Sequence, residues 1–145
     1  TRIEKAEIWS NYGSITPGVA RLIEGLDAER LSLARTVGLS VRSIHDHYRF
    51  SFGFAPGIPL AEMSAQMHER RGGAPAGPQD PDTRFITEDL PFGIHCLERI
   101  AAQFGQSLPL HSAGIEMFNA IRGRDFRAAN DLIGAIDLSD SRLLA

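Results

Sequence analysis

The sequence predicts an all-α fold. Apolar residues recur at helical spacing in several long stretches, whereas the signals for strands are weak. The pattern shows no alternation of strands with helices and no glycine-rich phosphate loop of the GxGxxG or Walker type. The 145 residues suit one domain, since single domains cluster at about 100–150 residues. We therefore expect one multi-helix domain.

The first predicted helix has clear boundaries. It begins at Thr16-Pro17, because the threonine hydroxyl can cap a helix and proline at the first helical position has no N–H to leave unpaired. Apolar residues at helical spacing then form one buried stripe from Val19 to Val37. Gly38 is predicted to end the helix, because glycine readily takes the left-handed conformation that follows a helix.

Further helices are predicted along the rest of the chain. Ser40 is expected to cap the second helix, which continues through Tyr48 to Phe52. The others are expected over residues 60–69, 91–104, 112–121 and 126–136. Residues 71–83 hold three glycines and three prolines, so they are predicted to form a long loop of the kind that is usually functional or mobile.

Composition and charge exclude several classes of function. The formal net charge is −3, whereas proteins that bind nucleic acids or membranes by charge usually present a basic patch. No apolar run approaches the roughly 20 residues that a membrane-spanning helix needs. Cys96 is the one cysteine, so neither an intramolecular disulfide nor an oxidising compartment is indicated. We expect a cytoplasmic protein that binds neither nucleic acid nor membrane.

The start of the chain predicts that it is part of a longer polypeptide. Residues 1–5 read Thr-Arg-Ile-Glu-Lys, without an initiator methionine. They also lack the basic and then apolar pattern of a signal peptide. We therefore expect a further segment before Thr1, and a piece of this kind can carry half of an active site.

Arg30 is an anomaly in the first helix, because it falls near the middle of the apolar stripe between Leu26 and Leu33. A single charge buried there would cost free energy unless it is paired. Asp27, one turn earlier, is a candidate partner, and Glu29 lies at the edge of the stripe. Two interpretations stay open: a paired charge that fixes this helix to its neighbours, or a patch that faces another domain or the carboxylate of a ligand.

The histidines and the cysteine do not match a metal site or a nucleophile. His45 and His47 are two residues apart, so on a helix their side chains point away from each other. His95 has Glu98 one turn on, but a zinc site needs at least three protein ligands. Cys96 has no evident base beside it. We expect structural or solvated histidines, a packed thiol and no metal.

The 84–89 segment (Arg84 to Asp89) differs from the rest of the chain. It gathers Arg84, Thr87, Glu88 and Asp89 between the long loop and the helix that Pro91 opens. Glu88 or Asp89 can cap that helix, where a negative charge suits the helix dipole. A guanidinium five residues before a carboxylate can also hold a substrate carboxylate while the aspartate orients a histidine. Capping and catalysis are compatible, so both interpretations stay open.

Three stretches of the sequence form a pattern typical of one enzyme family. They are residues 12–21 with 26–30, residues 84–93, and the weaker stretch 123–126 with 135–138. The second reads Arg-Phe-Ile-Thr-Glu-Asp-Leu-Pro-Phe-Gly. The pattern resembles the C-terminal helical domain of the octopine/nopaline (opine) dehydrogenases, in which this block reads Arg-Tyr-x-x-Glu-Asp-Val-Pro-x-Gly.

The resemblance implies a fold and a reaction. The fold would be a multi-helix bundle over residues 1–145, similar to the C-terminal domain of 6-phosphogluconate dehydrogenase. In such enzymes an N-terminal Rossmann domain binds NAD or NADP, and the helical domain completes the substrate site. The amine of an amino acid condenses with a 2-oxo acid, and the resulting imine is reduced by hydride transfer.

The resemblance also implies site residues. Asp89 would be the catalytic aspartate that holds the tautomer of a histidine, while Arg84, Glu88 and Thr16 would bind substrate. That histidine lies in a family motif before Thr1, and none of the five histidines of this chain matches it. The resemblance assigns no cofactor-binding residue in the chain. We therefore expect the chain alone to be inactive.

Two other functions account for the same helical pattern. One is a non-enzymatic module for dimerisation or ligand binding, and a homodimer is left open in either case. The other is a related dehydrogenase that acts on a 2-oxo or hydroxy acid. A GxGxxG strand–turn–helix before Thr1 would favour an enzyme over a module.

Overall fold

The computed structural model describes residues 2–137, and the regular structure in this range is helical, which confirms the predicted all-α class. The α-helices are α1 (Pro17–Thr36), α2 (Ile44–Phe52), α3 (Leu60–Arg70), α4 (Arg84–Thr87), α5 (His95–Gln103) and α6 (Pro109–Arg122). A π-helix (Asp89–Ile94) precedes α5, and two 3-10 turns (Arg127–Ala129 and Ile133–Ala135) follow α6. The extended pairing found in the described range is one antiparallel bridge between Ser10 and Ala76.

Helix α1 begins and ends where the sequence predicts. Thr16 Oγ1 accepts a hydrogen bond from the N–H of Val19 at 3.3 Å, so the threonine caps the first turn. The helix ends at Thr36, and Gly38 follows with a φ of +77°, a conformation that costs glycine little. The predicted stripe is buried only in part, since Leu33 is 3% exposed and Val19 is 41% exposed.

Helix α2 is capped by Ser43, and the predicted cap at Ser40 is wrong. Ser43 Oγ accepts the N–H of Asp46 at 3.0 Å and donates its proton to the Asp46 carboxylate at 2.7 Å. The Asp27 carboxylate accepts the N–H of Ile44 at 2.8 Å. Because two carboxylates and one hydroxyl satisfy polar groups at this end, the helix starts after Ser43.

The region between α4 and α5 is less regular than the sequence predicts. The sequence predicts one helix over residues 91–104, whereas the structure has the π-helix and then α5. The N–H of His95 donates to the carbonyl oxygen of Leu90, five residues earlier. Pro91 has no N–H to contribute to an α-helical ladder, and the wider π-helical turn accommodates it.

The predicted helix over residues 126–136 is wrong, because this segment contains the two 3-10 turns. Asp125 Oδ1 accepts the N–H of Arg127 at 2.9 Å, and Asn130 Oδ1 accepts the N–H of Ile133 at 2.8 Å. Side chains that bind nearby backbone groups in this way compete with helix formation. Leu138, the end of the third family-like stretch, lies outside the described residues.

The described residues form two compact units, each with its own buried residues. The first unit contains residues 2–27 and Val41–Pro81, and the second contains Ala28–Ser40 and residues 82–137. The core of the first unit includes Ala20, Tyr48, Phe54, Leu60, Met63 and Met67. The buried residues of the second include Leu33, Ala101, Leu108, Ile115 and Phe126.

Candidate functional site

The 84–89 segment lies on the surface of the second unit, with its charged side chains directed away from the core. Ile86 and Leu90 are buried, at 5% and 3% exposure. Arg84, Glu88 and Asp89 are exposed. The two buried apolar side chains therefore anchor the segment, while its charged groups face outward.

The exposed carboxylates of this segment do not help to hold the second unit together. Glu88 precedes the π-helix without a hydrogen bond from its side chain to the helix end. Within residues 2–137 no hydrogen bond or ion pair involves the carboxylate of Asp89. The Arg84 guanidinium lies over the ring of Phe85, 5.6 Å from its centroid. The capping role that the sequence left open for Glu88 and Asp89 is thus not found in the described residues.

The π-helix begins at Asp89 itself. A π-helical turn places one extra residue in the helix, which turns the preceding side chains away from the direction that an α-helix would give them. Such turns are rare, and many of them lie at functional sites. At Asp89 the start of the π-helix and a carboxylate without a hydrogen bond in the described residues thus occur at the same residue.

Thr16, the other candidate substrate contact, lies in the first unit. Its side chain is exposed, and its Oγ1 accepts the N–H of Val19. The hydroxyl proton is still available to a ligand, since the hydroxyl uses only its oxygen in this bond. The structure thus brings Arg84, Glu88 and Asp89 together on one segment of the second unit and places Thr16 in the first.

A polar cluster centred on Glu98 orders the helix that follows the π-helix. Arg127 donates from Nη2 and Nε to the two oxygens of Glu98, at 2.8 and 2.9 Å. Ser112 Oγ donates to the same carboxylate at 2.6 Å, and His95 Nδ1 lies 3.0 Å from it. Arg127 also pairs with Glu116. The cluster joins α5, α6 and the first 3-10 turn through one carboxylate.

The cluster holds Glu98 in its charged form. Burial raises the pKa of the Glu98 carboxyl, but hydrogen bonds, first of all from Arg127, outweigh burial and lower that pKa to about 2. Conversely, the bond to Glu98 raises the pKa of the Arg127 guanidinium above its ordinary value. The predicted proximity of His95 and Glu98 is confirmed, and the histidine has a structural role.

Glu29 is the second carboxylate that the second unit uses for its own structure. It accepts the N–H groups of Leu110 and His111 at 2.8 and 3.2 Å, and its Oε2 lies 2.7 Å from His111 Nδ1. Burial raises the pKa of Glu29, but these hydrogen bonds outweigh it and lower the pKa below 4.5. Glu29 therefore caps α6 from a distant part of the chain.

Residues 2–137 contain neither a cluster of metal-binding side chains nor a membrane-spanning helix. No group of three or more His, Cys, Asp or Glu side chains in this range is arranged to hold a metal ion. No helix in the same range combines the length and the apolar character that crossing a bilayer requires. The Sγ of Cys96 accepts a hydrogen bond from Asn130 at 3.3 Å, as expected for a packed thiol.

Sequence reasoning missed the structural role of Arg127 and the π-helix. Arg127 and Glu98 are 29 residues apart, so no periodic pattern connects them. The π-helix had one signal in the sequence, which was Pro91 inside a stretch expected to be helical. Proline shows where a helical ladder is interrupted, but it does not distinguish a π-helix from a helix start.

Comparisons with known proteins give a consistent result. Residues 1–122 match the family described as NAD/NADP octopine/nopaline dehydrogenase, alpha-helical domain. The chain is also 30% identical over 130 residues to a protein named opine dehydrogenase from Arthrobacter sp. (strain 1C). The aligned region covers 86% of this chain and 34% of that relative, so the chain spans about a third of the relative's length. The family match includes Thr16 and the 84–89 segment.

Proposed function

Because the chain belongs to the family of NAD/NADP octopine/nopaline dehydrogenase alpha-helical domains, we propose that it is the substrate-handling part of an opine dehydrogenase. The complete enzyme would condense an amino acid with a 2-oxo acid and reduce the imine. This chain would be its C-terminal helical domain, preceded by a Rossmann domain. The length of the Arthrobacter relative, of which the aligned region is 34%, supports an enzyme with more than this one domain.

The observation that carries the proposal is the exposed charge on the 84–89 segment. Glu88 and Asp89 make no structural bond within the described residues, although Ile86 and Leu90 fix the backbone that carries them. A carboxylate that the fold leaves unbonded on an anchored backbone is available to a substrate or to a catalytic partner. The π-helix at Asp89 supports the same assignment.

Arg84 is the proposed anchor for a substrate carboxylate. Its guanidinium can form two parallel hydrogen bonds to a carboxylate, which fixes the orientation of the substrate as well as its position. Both the amino acid and the 2-oxo acid carry such a group. Glu88 is the proposed further contact of this segment, since a carboxylate can accept hydrogen bonds from the amine of a substrate. Thr16 is proposed as a separate contact in the first unit, where its hydroxyl can donate to an oxygen.

Asp89 is the proposed catalytic carboxylate. When an amine condenses with a keto group to form an imine, the nitrogen gives up two protons and the keto oxygen leaves with two protons as water. The step therefore needs a group that both accepts and donates protons. A histidine suits this role at neutral pH, and an aspartate bonded to it fixes the tautomer and stabilises the imidazolium. That histidine would come from the preceding domain.

The described residues do not fit the nicotinamide cofactor. A dinucleotide pyrophosphate is commonly held where a strand meets a helix through a glycine-rich turn, and residues 2–137 contain no such unit. NAD or NADP, which would supply the reducing equivalent, is therefore assigned to the preceding domain. The contribution of this chain is to bind, orient and exchange protons with the substrates.

Asp89→Asn in the complete enzyme tests the proposal. Turnover of amino acid plus 2-oxo acid, followed as oxidation of NADH or NADPH, should fall by about 100-fold or more, because the amide cannot stabilise a charged histidine. The melting temperature should stay unchanged, because the Asp89 carboxylate makes no bond within the described residues. Asp131→Asn, at another exposed aspartate of the second unit, is the matched control and should keep full turnover.

Two further measurements complete this test. Arg84→Lys should raise KM for the 2-oxo acid or the amino acid more than it lowers kcat, because an ammonium cannot replace the two-pronged guanidinium. The chain alone should not oxidise NADH or NADPH. Turnover by the Asp89→Asn enzyme within a few-fold of the parent enzyme would contradict the catalytic role.

A further inference from the structure

The first unit contains an open cleft that the proposed catalytic segment does not explain. Its volume is about 530 Å³, within the range of about 300–1,000 Å³ that small-molecule sites occupy. The lining residues are Arg2, Ile3, Trp9, Gly13, Ser14 and Thr16. The set combines one cation, two hydroxyls and apolar surface.

Trp9 forms a wall of this cleft and is fixed in place. Its indole Nε1 donates to the carbonyl oxygen of Pro78 at 2.9 Å. The ring lies so close to Gly77 that a Cβ on Gly77 would overlap it. The N–H of Gly77 donates to the carbonyl oxygen of Trp9 at 2.9 Å. An aromatic wall held by these three contacts is already in place before any ligand binds.

The part of the cleft that Gly13 and Ser14 line is also fixed by contacts within the first unit. Ser10 Oγ accepts the N–H of Gly13 at 3.1 Å and lies 2.8 Å from His68 Nδ1. A Cβ on Gly13 would meet the His68 ring at 2.9 Å. Gly13 is therefore needed for the close approach of the chain to the histidine, and this approach sets the position of Ser14.

The polar groups in the cleft suit a carboxylate. Arg2 Nε lies 3.5 Å from the Glu7 carboxylate, and the Arg2 side chain is 64% exposed. The two terminal nitrogens of the guanidinium carry further N–H groups that suit a two-pronged contact with a carboxylate. Ser14 and Thr16 add hydroxyl donors. The indole of Trp9 and the side chain of Ile3 offer apolar surface beside them.

From this geometry we propose that the cleft binds a small monocarboxylate with an apolar side chain. The guanidinium of Arg2 and the hydroxyls of Ser14 and Thr16 hold the carboxylate, and the side chain of the ligand packs against Trp9. Only the claim that this ligand is a substrate rests on the proposed function. The binding itself depends on the first unit, whereas the proposed catalysis depends on Asp89 in the second.

The single tryptophan of the sequence provides the assay. The indole N–H resonance of Trp9 and the tryptophan fluorescence are followed while the 145-residue chain is titrated with leucine and, separately, with 4-methyl-2-oxopentanoate. Leucinamide, which lacks the carboxylate, is the ligand control. We expect saturable binding of at least one of the two acids and no saturation with leucinamide. The acid that binds more tightly identifies which substrate the cleft would hold.

Variants test the contacts. Arg2→Gln should weaken binding by about tenfold or more, since a charge-assisted pair of hydrogen bonds is lost. Arg99→Gln removes an exposed arginine from the second unit and should leave the affinity unchanged. Ser14→Ala removes a proposed hydroxyl donor to the carboxylate without adding bulk, so it tests the same site through a second contact. Circular dichroism establishes that each variant is folded.

Absence of saturation with both acids, equal binding of leucinamide, or an unchanged affinity in Arg2→Gln would each overturn the inference. Asp89→Asn in the same chain should bind as the parent chain does. If the cleft binds no acid while Asp89→Asn still abolishes turnover of the complete enzyme, the cleft assignment fails and the proposed function stands. The opposite pair of results supports the cleft and removes the catalytic role of Asp89.

Discussion

Replacing Glu98 with glutamine should destabilise the second unit. It should also make the free energy of unfolding depend less on pH in the acidic range. The side chain of Glu98 is 14% exposed and that of Arg127 is 27% exposed. A carboxyl whose pKa falls from 4.5 to about 2 on folding adds about 3 kcal/mol to the free energy of unfolding at neutral pH. Solvent screening of the partly exposed guanidinium reduces this to about 2 kcal/mol.

The direction of the pH effect follows from the lowered pKa. The stabilisation from Glu98 is fully present above about pH 4.5, the pKa of the carboxyl in the unfolded chain, and is lost as the pH falls toward about 2. Glu98→Gln should therefore lower the stability at neutral pH by about 2 kcal/mol and flatten the decline in stability between about pH 4.5 and 2. Urea unfolding at a series of pH values, followed by circular dichroism, measures both effects.

Glu116→Gln is the matched control, because Glu116 pairs with the same arginine and its side chain is 65% exposed. Its loss should cost at most about 1 kcal/mol, as for other exposed pairs, and should leave the acid decline in place. Equal losses in the two variants would refute the assignment of the low pKa to the Glu98 cluster. The same holds if Glu98→Gln keeps the acid decline of the parent chain.

Two other pairs of variants test the structure of each unit. Glu29→Gln should lower the free energy of unfolding by about 1–3 kcal/mol, because the amide cannot accept the three donors that the carboxylate accepts; Glu24→Gln, which changes a carboxylate about 38% exposed, should cost at most about 1 kcal/mol in the same urea titration. Gly77→Ala should cost about 1–3 kcal/mol and alter the fluorescence of Trp9, because the new Cβ overlaps the indole. Gly114→Ala, on α6 with no atom within 4 Å of the added Cβ, should be neutral or stabilise by up to about 1 kcal/mol, and a similar loss in both glycine variants would contradict the packing argument.

The helix boundaries that depend on adjacent residues were predictable, and those that depend on competition between side chains were not. Thr16 with Pro17 begins α1, and Gly38 follows its end, because each acts through its own backbone preference. Ser40 and Ser43 have equal intrinsic capping preferences, so the choice between them depends on Asp46, three residues after Ser43. The prediction of Ser40 as the cap does not take into account the hydrogen bond between the Ser43 hydroxyl and the Asp46 carboxylate.

The end of the described chain shows a stronger form of the same competition. The apolar spacing of residues 126–136 is compatible with a helix, but Asp125 and Asn130 both bind backbone N–H groups close to them. Each such bond removes a group that a helix would use. The spacing of apolar residues contains no information about this local competition, so the predicted helix was wrong there.

The structural and the proposed catalytic carboxylates of the second unit differ in a way that the sequence could not display. Glu29 and Glu98 each accept three or more hydrogen bonds. Apart from His95, which precedes Glu98 by three residues, their partners lie 14 or more residues away along the chain. Asp89 lies in an anchored segment and has no such partner within the described residues. From the sequence alone all three are acidic residues on or beside predicted helices. The fold distinguishes them by what each carboxylate binds, and this difference makes Asp89 the carboxylate whose replacement should change turnover without changing stability.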